Sequence, residues 1–63
     1  MAVILFGDRT EDVGSRGTVE SAMVSLGIPP DSYLFLSDGV PIPMDTLLTE
    51  DLRVRAIRVA SGG

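Results

Sequence analysis

Apolar residues along the chain form short separate runs that predict strands, with one stretch of helical spacing between them. The first run, residues 2–6 (AVILF), is β-branched and aromatic. It ends at Gly7-Asp8, so we expect a strand that enters a turn. The polar, glycine-containing stretch 9–17 follows, and a weaker returning strand is predicted at 10–13. Together these two strands predict a hairpin.

The next segment has the spacing of an amphipathic helix. Thr18 can cap its N-terminus, and four apolar residues occupy positions i, i+3, i+4 and i+7 of one face: Val19, Ala22, Met23 and Leu26. Gly27 fits the position after the helix, where φ is usually positive. Ile28 is expected to fold back on the last turn, and the prolines at 29–30 prevent continuation. We therefore expect one helix with one buried stripe.

A second strand signal begins at residues 33–36 (YLFL) and is closed by Asp38-Gly39, a dipeptide that favours tight turns. The extended piece 40–43 (VPIP) follows. Its prolines cannot donate ladder hydrogen bonds, so it belongs at a sheet edge.

The remaining residues predict a connecting segment and a final strand. Residues 45–51 are expected to form a helical turn or loop that buries Leu47 and Leu48. In the final strand, 53–59, successive side chains alternate between the two faces of the sheet, which puts Val54 and Ala56 on one face. The opposite face then receives Arg53, Arg55 and Ile57.

This order of elements predicts an α+β domain over residues 1–59, with a flexible tail at 60–63. The expected sheet is mixed, has four or five strands, and carries one helix across one face. The last strand must return beside the first to close the sheet centrally. Such an architecture is the β-grasp, or ubiquitin-like, arrangement.

One helix covers only one face of the sheet, so the other face is expected to remain open. If Val3 and Leu5 face the helix, alternation turns their neighbours outward beside the final strand. The predicted partner-binding patch then consists of Ile4, Phe6, Arg53, Arg55 and Ile57. In the alternative, the first strand has the opposite phase, so that Ile4 and Phe6 face the helix and are buried.

Composition restricts the chemistry of the domain. The chain has 63 residues and neither Cys nor His, which removes disulfides, thiol nucleophiles and the commonest general base. A body this small cannot enclose a pocket of ~300 Å³ and keep its core. We therefore expect no enzyme activity, no metal and no bound cofactor. An acid–base enzyme using Glu50 and Asp51 is disfavoured, because adjacent side chains usually point apart.

Charge and hydropathy indicate where the protein acts. A net charge of −4 disfavours nucleic acid as a direct partner. The apolar run 2–6 is too short for a membrane span, and the missing cysteines favour the cytoplasm. We expect a cytoplasmic monomer with no membrane partner. All five cations are arginines and there is no lysine. This reflects either compositional bias or the need for a protein without side-chain amines to which another copy of it could be joined.

The sequence ends in Gly62-Gly63, a pair that chance would place there in roughly half a percent of chains. Without a Cβ on either residue, the tail can enter a narrow slot and present the Gly63 carboxylate to another enzyme. Ser61 is expected to be a small spacer, since no base is available to activate it. The alternative is a frayed end without a role.

Four features of the chain resemble the ubiquitin-like sulfur carriers, which include the thiamine and molybdopterin carriers and the small archaeal modifier proteins. They are the helix end 26–30 (LGIPP), the strand that runs into Asp38-Gly39, the following 40–43 (VPIP), and the last strand with its ending RVASGG. The order and spacing of these features extend over the whole chain. Of the four, the Gly-Gly ending at this length is the specific one.

This resemblance implies that an E1-like activating enzyme adenylates the Gly63 carboxylate with ATP. A sulfur donor would then convert Gly63 to a thiocarboxylate for tRNA thiolation or cofactor synthesis, with a sulfurtransferase or cofactor synthase as partner. In a modifier branch, activated Gly63 would instead join lysines of target proteins by isopeptide bonds. Gly62 and Ser61 would be the tail required for activation. The alternative function is a passive interaction module whose tail is incidental.

Overall fold

The structure, a computed structural model, describes residues 1–59 and places in them one α-helix and a five-stranded mixed sheet. The sheet order is β2-β1-β5-β3-β4. A 3₁₀ turn at Pro30–Ser32, which the sequence did not predict, leads from the helix into β3. The elements are β1 (Ala2–Phe6), β2 (Arg9–Gly14), α1 (Val19–Ser25), β3 (Tyr33–Ser37), β4 (Val40–Ile42) and β5 (Arg53–Arg58). The expected α+β class with one helix is confirmed.

Helix α1 begins and ends where its terminal backbone groups find partners. The Thr18 hydroxyl accepts from the Ser21 N–H at 3.1 Å, and the Ser21 hydroxyl accepts from the Thr18 N–H at 2.9 Å. At the other end, Gly27 has φ +74, and the N–H of Ile28 donates to the carbonyl of Met23 at 3.0 Å. This pattern satisfies the last carbonyls of the helix and confirms Gly27 as its stop.

The first and last strands form the centre of the sheet. β1 pairs with β5 in parallel, with Ile4 opposite Val54, and with β2 in antiparallel. β5 pairs with β3 on its other side, and β4 is an edge strand. The turn between β3 and β4 places Asp38 and Gly39 at φ 53 and 78, as an Asp-Gly hairpin turn requires. The central return of the last strand is therefore confirmed.

The core lies between α1 and one face of the sheet. It contains nine buried apolar residues: Ala2, Ile4, Val19, Ala22, Met23, Phe35, Leu48, Val54 and Ala56. Within residues 1–59 no polar or charged residue is buried. Val54 and Ala56 occupy the buried face of β5, as their alternation predicted.

The predicted phase of β1 is wrong. Ile4 is fully buried, whereas Val3 and Leu5 are only half-buried, so Ile4 faces the helix and Leu5 faces the open side. The physical reason is the register with β5, which places Ile4 beside the inward-facing Val54. Since side chains alternate with a period of two, a one-residue error in phase exchanges the two faces of the strand.

The connection between β4 and β5 has no regular helix. Leu48 is buried as expected, and its N–H donates to the carbonyl of Gly17 at 2.9 Å. Leu47, which the sequence also predicted to be buried, is 67% exposed. An isolated bridge between Leu47 and Thr18 holds this segment extended, so the two adjacent leucines point in opposite directions.

Within residues 1–59 no helix is long enough and apolar enough to cross a bilayer.

The corrected phase of β1 predicts an unequal response to two truncations. Ile4→Ala should lower the free energy of unfolding by about 2–5 kcal/mol, because it leaves a cavity in the core. Leu5→Ala is the matched variant on the other face and should cost clearly less. Urea denaturation of both variants measures the difference, and a larger loss for Leu5→Ala would contradict the phase.

Candidate functional site

The open face of the sheet, opposite α1, carries the candidate site. β5 runs through its centre and exposes Arg53, Arg55 and Ile57 there, with Ile57 40% exposed. These three positions match the sequence prediction because Val54 and Ala56 between them are buried. The central position of β5 gives these side chains apolar neighbours on both flanking strands.

The pairing registers identify those neighbours. Leu34 of β3 is 44% exposed and lies opposite Ile57. Arg55 lies between Leu5 of β1 and Leu36 of β3, which are both half-buried. We name the six residues together the open-face patch: Leu5, Leu34, Leu36, Arg53, Arg55 and Ile57.

Two residues that the sequence predicted for this surface do not lie on it. Ile4 is in the core, and Phe6 is half-buried against the core on the helix side. The Phe6 ring meets Tyr33 edge-on at 5.8 Å between centroids. On another side, the guanidinium carbon of Arg9 lies 5.4 Å from the Phe6 centroid. Phe6 therefore closes one end of the core.

Sequence reasoning missed three residues of the open-face patch: Leu5, Leu34 and Leu36. Residues 33–36 of β3 are all apolar, as are all five residues of β1. No alternation of apolar and polar side chains therefore marks Leu5, Leu34 or Leu36 as outward-facing. Only the register of each strand with β5 decides which residues face outward.

The electrostatics of the patch differ from those of the whole chain, which has a net charge of −4. Within residues 1–59, salt bridges join Met1 to Glu50 and Arg9 to Glu11, and neither involves Arg53 or Arg55. A hollow of about 370 Å³ lies along these two arginines, between Leu5 and Leu36. Asp38 also lines the hollow, so the open-face patch is apolar and concave and carries two arginines beside one carboxylate, which suits contact with a protein surface.

No group of three or more metal-ligating side chains is present in the part of the chain that the structure describes. Glu50 and Asp51 are both exposed.

The predicted reactive residues, Ser61, Gly62 and Gly63, lie outside the described residues. The structure does show how the chain approaches them. Val59, which follows β5, donates its N–H to the carbonyl of Ser32 at 2.9 Å. The chain is therefore attached to the sheet up to the last described residue, next to the open-face patch.

Comparison with known proteins does not assign the chain to a family. No family model matches it, and a search of curated proteins finds no significant match.

The exposure of Leu34 and Ile57 predicts that they contribute little to stability. The double variant L34T/I57T places the β-branched residue threonine at both positions and loses one cross-strand apolar pair, so it should destabilise by only about 1 kcal/mol. Thermal unfolding measures this cost, with Val54→Ala as the buried control on the same strand. A loss for the double variant that equals or exceeds the loss for Val54→Ala would contradict the open-face assignment.

Proposed function

We propose that the protein is a ubiquitin-like carrier or modifier with a β-grasp fold, whose reactive group is the carboxylate of Gly63. The observation that carries the proposal is the position of β5. It is the central strand, it pairs on both sides, and it leads directly into residues 60–63. Because β5 is held on both sides, the point where the tail begins is fixed relative to the body of the protein. An enzyme that binds the body can therefore receive Gly63 at a defined place.

The fold part of the proposal is supported by the topology. Hairpin β1-β2, helix α1 across one face, and the parallel pairing of the first and last strands are the features expected of a β-grasp. The cytoplasm is the proposed location.

The dimensions of the tail suit delivery of its end into another protein. Four extended residues span about 13 Å at roughly 3.3 Å each. The body of the protein can therefore stay outside an enzyme while Gly63 reaches a bound nucleotide. Glycine at 62 and 63 fits a close channel, since any Cβ would widen the tail.

The proposed reaction takes place on an E1-like activating enzyme. The Gly63 carboxylate attacks the α-phosphorus of ATP, pyrophosphate leaves, and the acyl-adenylate forms. In sulfur transfer, a persulfide sulfur displaces AMP, and a thiol then reduces the acyl disulfide to the thiocarboxylate. In protein conjugation, a lysine amine of a target receives the activated acyl group, directly or through an enzyme thioester. Both branches need the same tail.

The open-face patch supplies the binding part of the proposal. Its exposed leucine and isoleucine side chains lie on the sheet that carries the tail, so a partner can hold the body and receive the tail together. The second candidate function is a passive β-grasp interaction module that uses the same patch without any reaction at Gly63. The concave, apolar surface with its two arginines favours it equally, so the two functions must be separated by the chemistry of the tail.

Incubation with the activating enzyme from the same cells, ATP and a sulfur donor should convert the protein to a thiocarboxylate. Intact mass spectrometry detects the replacement of one oxygen by sulfur, and branched peptides reveal conjugation. Deletion of Gly63 should abolish both products, whereas Ser61→Ala should retain them. If the enzyme is active on another substrate and neither product forms, the proposal is wrong. Partner binding that survives deletion of Gly63 without any product supports the passive module.

The patch has its own prediction. Ile57→Glu should lower the kcat/KM for activation about tenfold, because a carboxylate then faces the partner at the centre of the contact. Leu47→Glu is the matched control, since Leu47 is also exposed but lies beside the N-terminus of α1 and away from the patch. Equal effects of the two substitutions would contradict docking through the open face.

A further inference from the structure

The sheet has a notch beside the end of β5, and it shares Leu5, Arg55 and Ile57 with the open-face patch. β5 pairs with β3 as far as Arg58, opposite Tyr33, but its pairing with β1 ends at Arg55, opposite Leu5. Past that point, Gly7 has φ +63 and turns the chain away towards β2. Phe6, the last residue of β1, follows beside Ala56, and among residues 1–59 no strand lies beyond it next to Ile57 and Arg58. We call this space the notch.

Backbone groups of β5 point into the notch. In a strand, successive residues direct their N–H and C=O to opposite edges. The Val3 N–H donates to the carbonyl of Leu52, and the Val59 N–H donates to the carbonyl of Ser32. Even-numbered residues of β5 therefore face the β1 side and odd-numbered residues face β3. Arg58 then presents its N–H and C=O to the notch, beyond the end of the pairing with β1.

The notch has walls on both faces of the sheet and a volume of about 560 Å³. Leu5 and Ile57 line it on the open side, and Phe6 and Tyr33 line it on the helix side. One arginine stands on each face, Arg55 with the first pair and Arg58 with the second. The space is therefore apolar at its centre and positively charged on both sides, and the Arg58 backbone that borders it has no strand partner on this side among residues 1–59.

The two outer edges of the sheet are less suited to binding a strand. β4 contains Pro41, which has no N–H to donate. The pairing of β2 with β1 is irregular between Ala2 and Val3, and such bulges disturb an edge as a template for pairing. A hollow also lies beside β2, between Val13 and helix α1, but the notch differs from both outer edges because it borders a strand with neither a proline nor an irregular register.

From this arrangement we propose that the notch binds an extended peptide segment of a partner protein, which adds as a short strand beside Ile57 and Arg58 of β5. The segment carries apolar side chains for the centre and carboxylates for Arg55 and Arg58. A protein segment fits better than a nucleic acid because the chain has a net charge of −4 and the aromatic rings here are packed edge-on or under Arg9. Binding of this kind does not require any reaction at Gly63.

The test uses the capped peptide Glu-Val-Ile-Val-Val-Glu and the full-length ¹⁵N-labelled protein. In an extended strand its first and sixth side chains point to opposite faces, as Arg55 and Arg58 do. Titration should shift the amide signals of residues 56–58, with a dissociation constant on the order of 1 mM for so short a strand. The peptide with lysine at both ends should bind at least about tenfold more weakly, because it places cations beside Arg55 and Arg58. A peptide N-methylated at its four central residues should not bind, because it lacks the N–H donors that a strand needs.

Variants of the protein provide the matched comparison. Arg58→Glu should weaken binding of the acidic peptide and improve binding of the lysine peptide. Arg16→Glu, an exposed arginine near the C-terminal half of α1, should change neither. Dispersed amide spectra confirm that both variants fold. The N-methylated peptide tests the proposal without any substitution in the protein.

Four results with added ligands would overturn the proposal. They are the absence of binding at 5 mM peptide, shifts confined to β2 or β4, equal binding of the N-methylated peptide, and preference for an oligonucleotide of the same charge. Occupation by residues 60–63 of the chain itself would also overturn it. In that case the protein should bind the peptide only after truncation beyond Val59.

Discussion

The parallel pairing of β1 with β5 is the contact on which the rest of the structure depends. It places Ile4 beside Val54 in the middle of the sheet, and both side chains are completely buried under α1. Once these two strands are paired, the hairpin with β1 sets the position of β2 in the sheet. Pairing with the other side of β5 sets the position of β3. The same contact leaves Arg55 between Leu5 and Leu36 on the open face, and its early end creates the notch.

A small domain without disulfides must obtain stability from a few well-placed residues. Here nine buried apolar side chains form one core, and no described polar residue is buried with them. The helix is only seven residues long, so its caps at Thr18 and Gly27 matter more than its intrinsic propensity. Because this core lies on one face of the sheet, the opposite face is free for the apolar and arginine side chains that the proposed carrier function uses.

Much of the fold could be predicted from the sequence, because several elements carry strong local signals. Thr18, Gly27 and the Asp38-Gly39 turn define their boundaries through backbone chemistry, and the arginines of β5 mark its exposed face. The phase of β1 could not be predicted, since its five apolar residues show no alternation. The register that places Ile4 beside Val54 is a tertiary property. The same holds for Leu47 and Leu48, whose opposite exposure depends on one bridge to Thr18.

For the site, the sequence predicted three of the six residues of the open-face patch, and its proposals for Ser61, Gly62 and Gly63 stay predictions. The central claim is that a tail leaving the middle of the sheet delivers Gly63 for activation. Mass spectrometry of the protein isolated from its own cells tests this most directly. The account predicts a chain that ends at Gly63 and carries a thiocarboxylate, or Gly-Gly remnants on lysines of other proteins. Finding only the unmodified acid, with no branched remnants, in cells that contain the activating enzyme would contradict it.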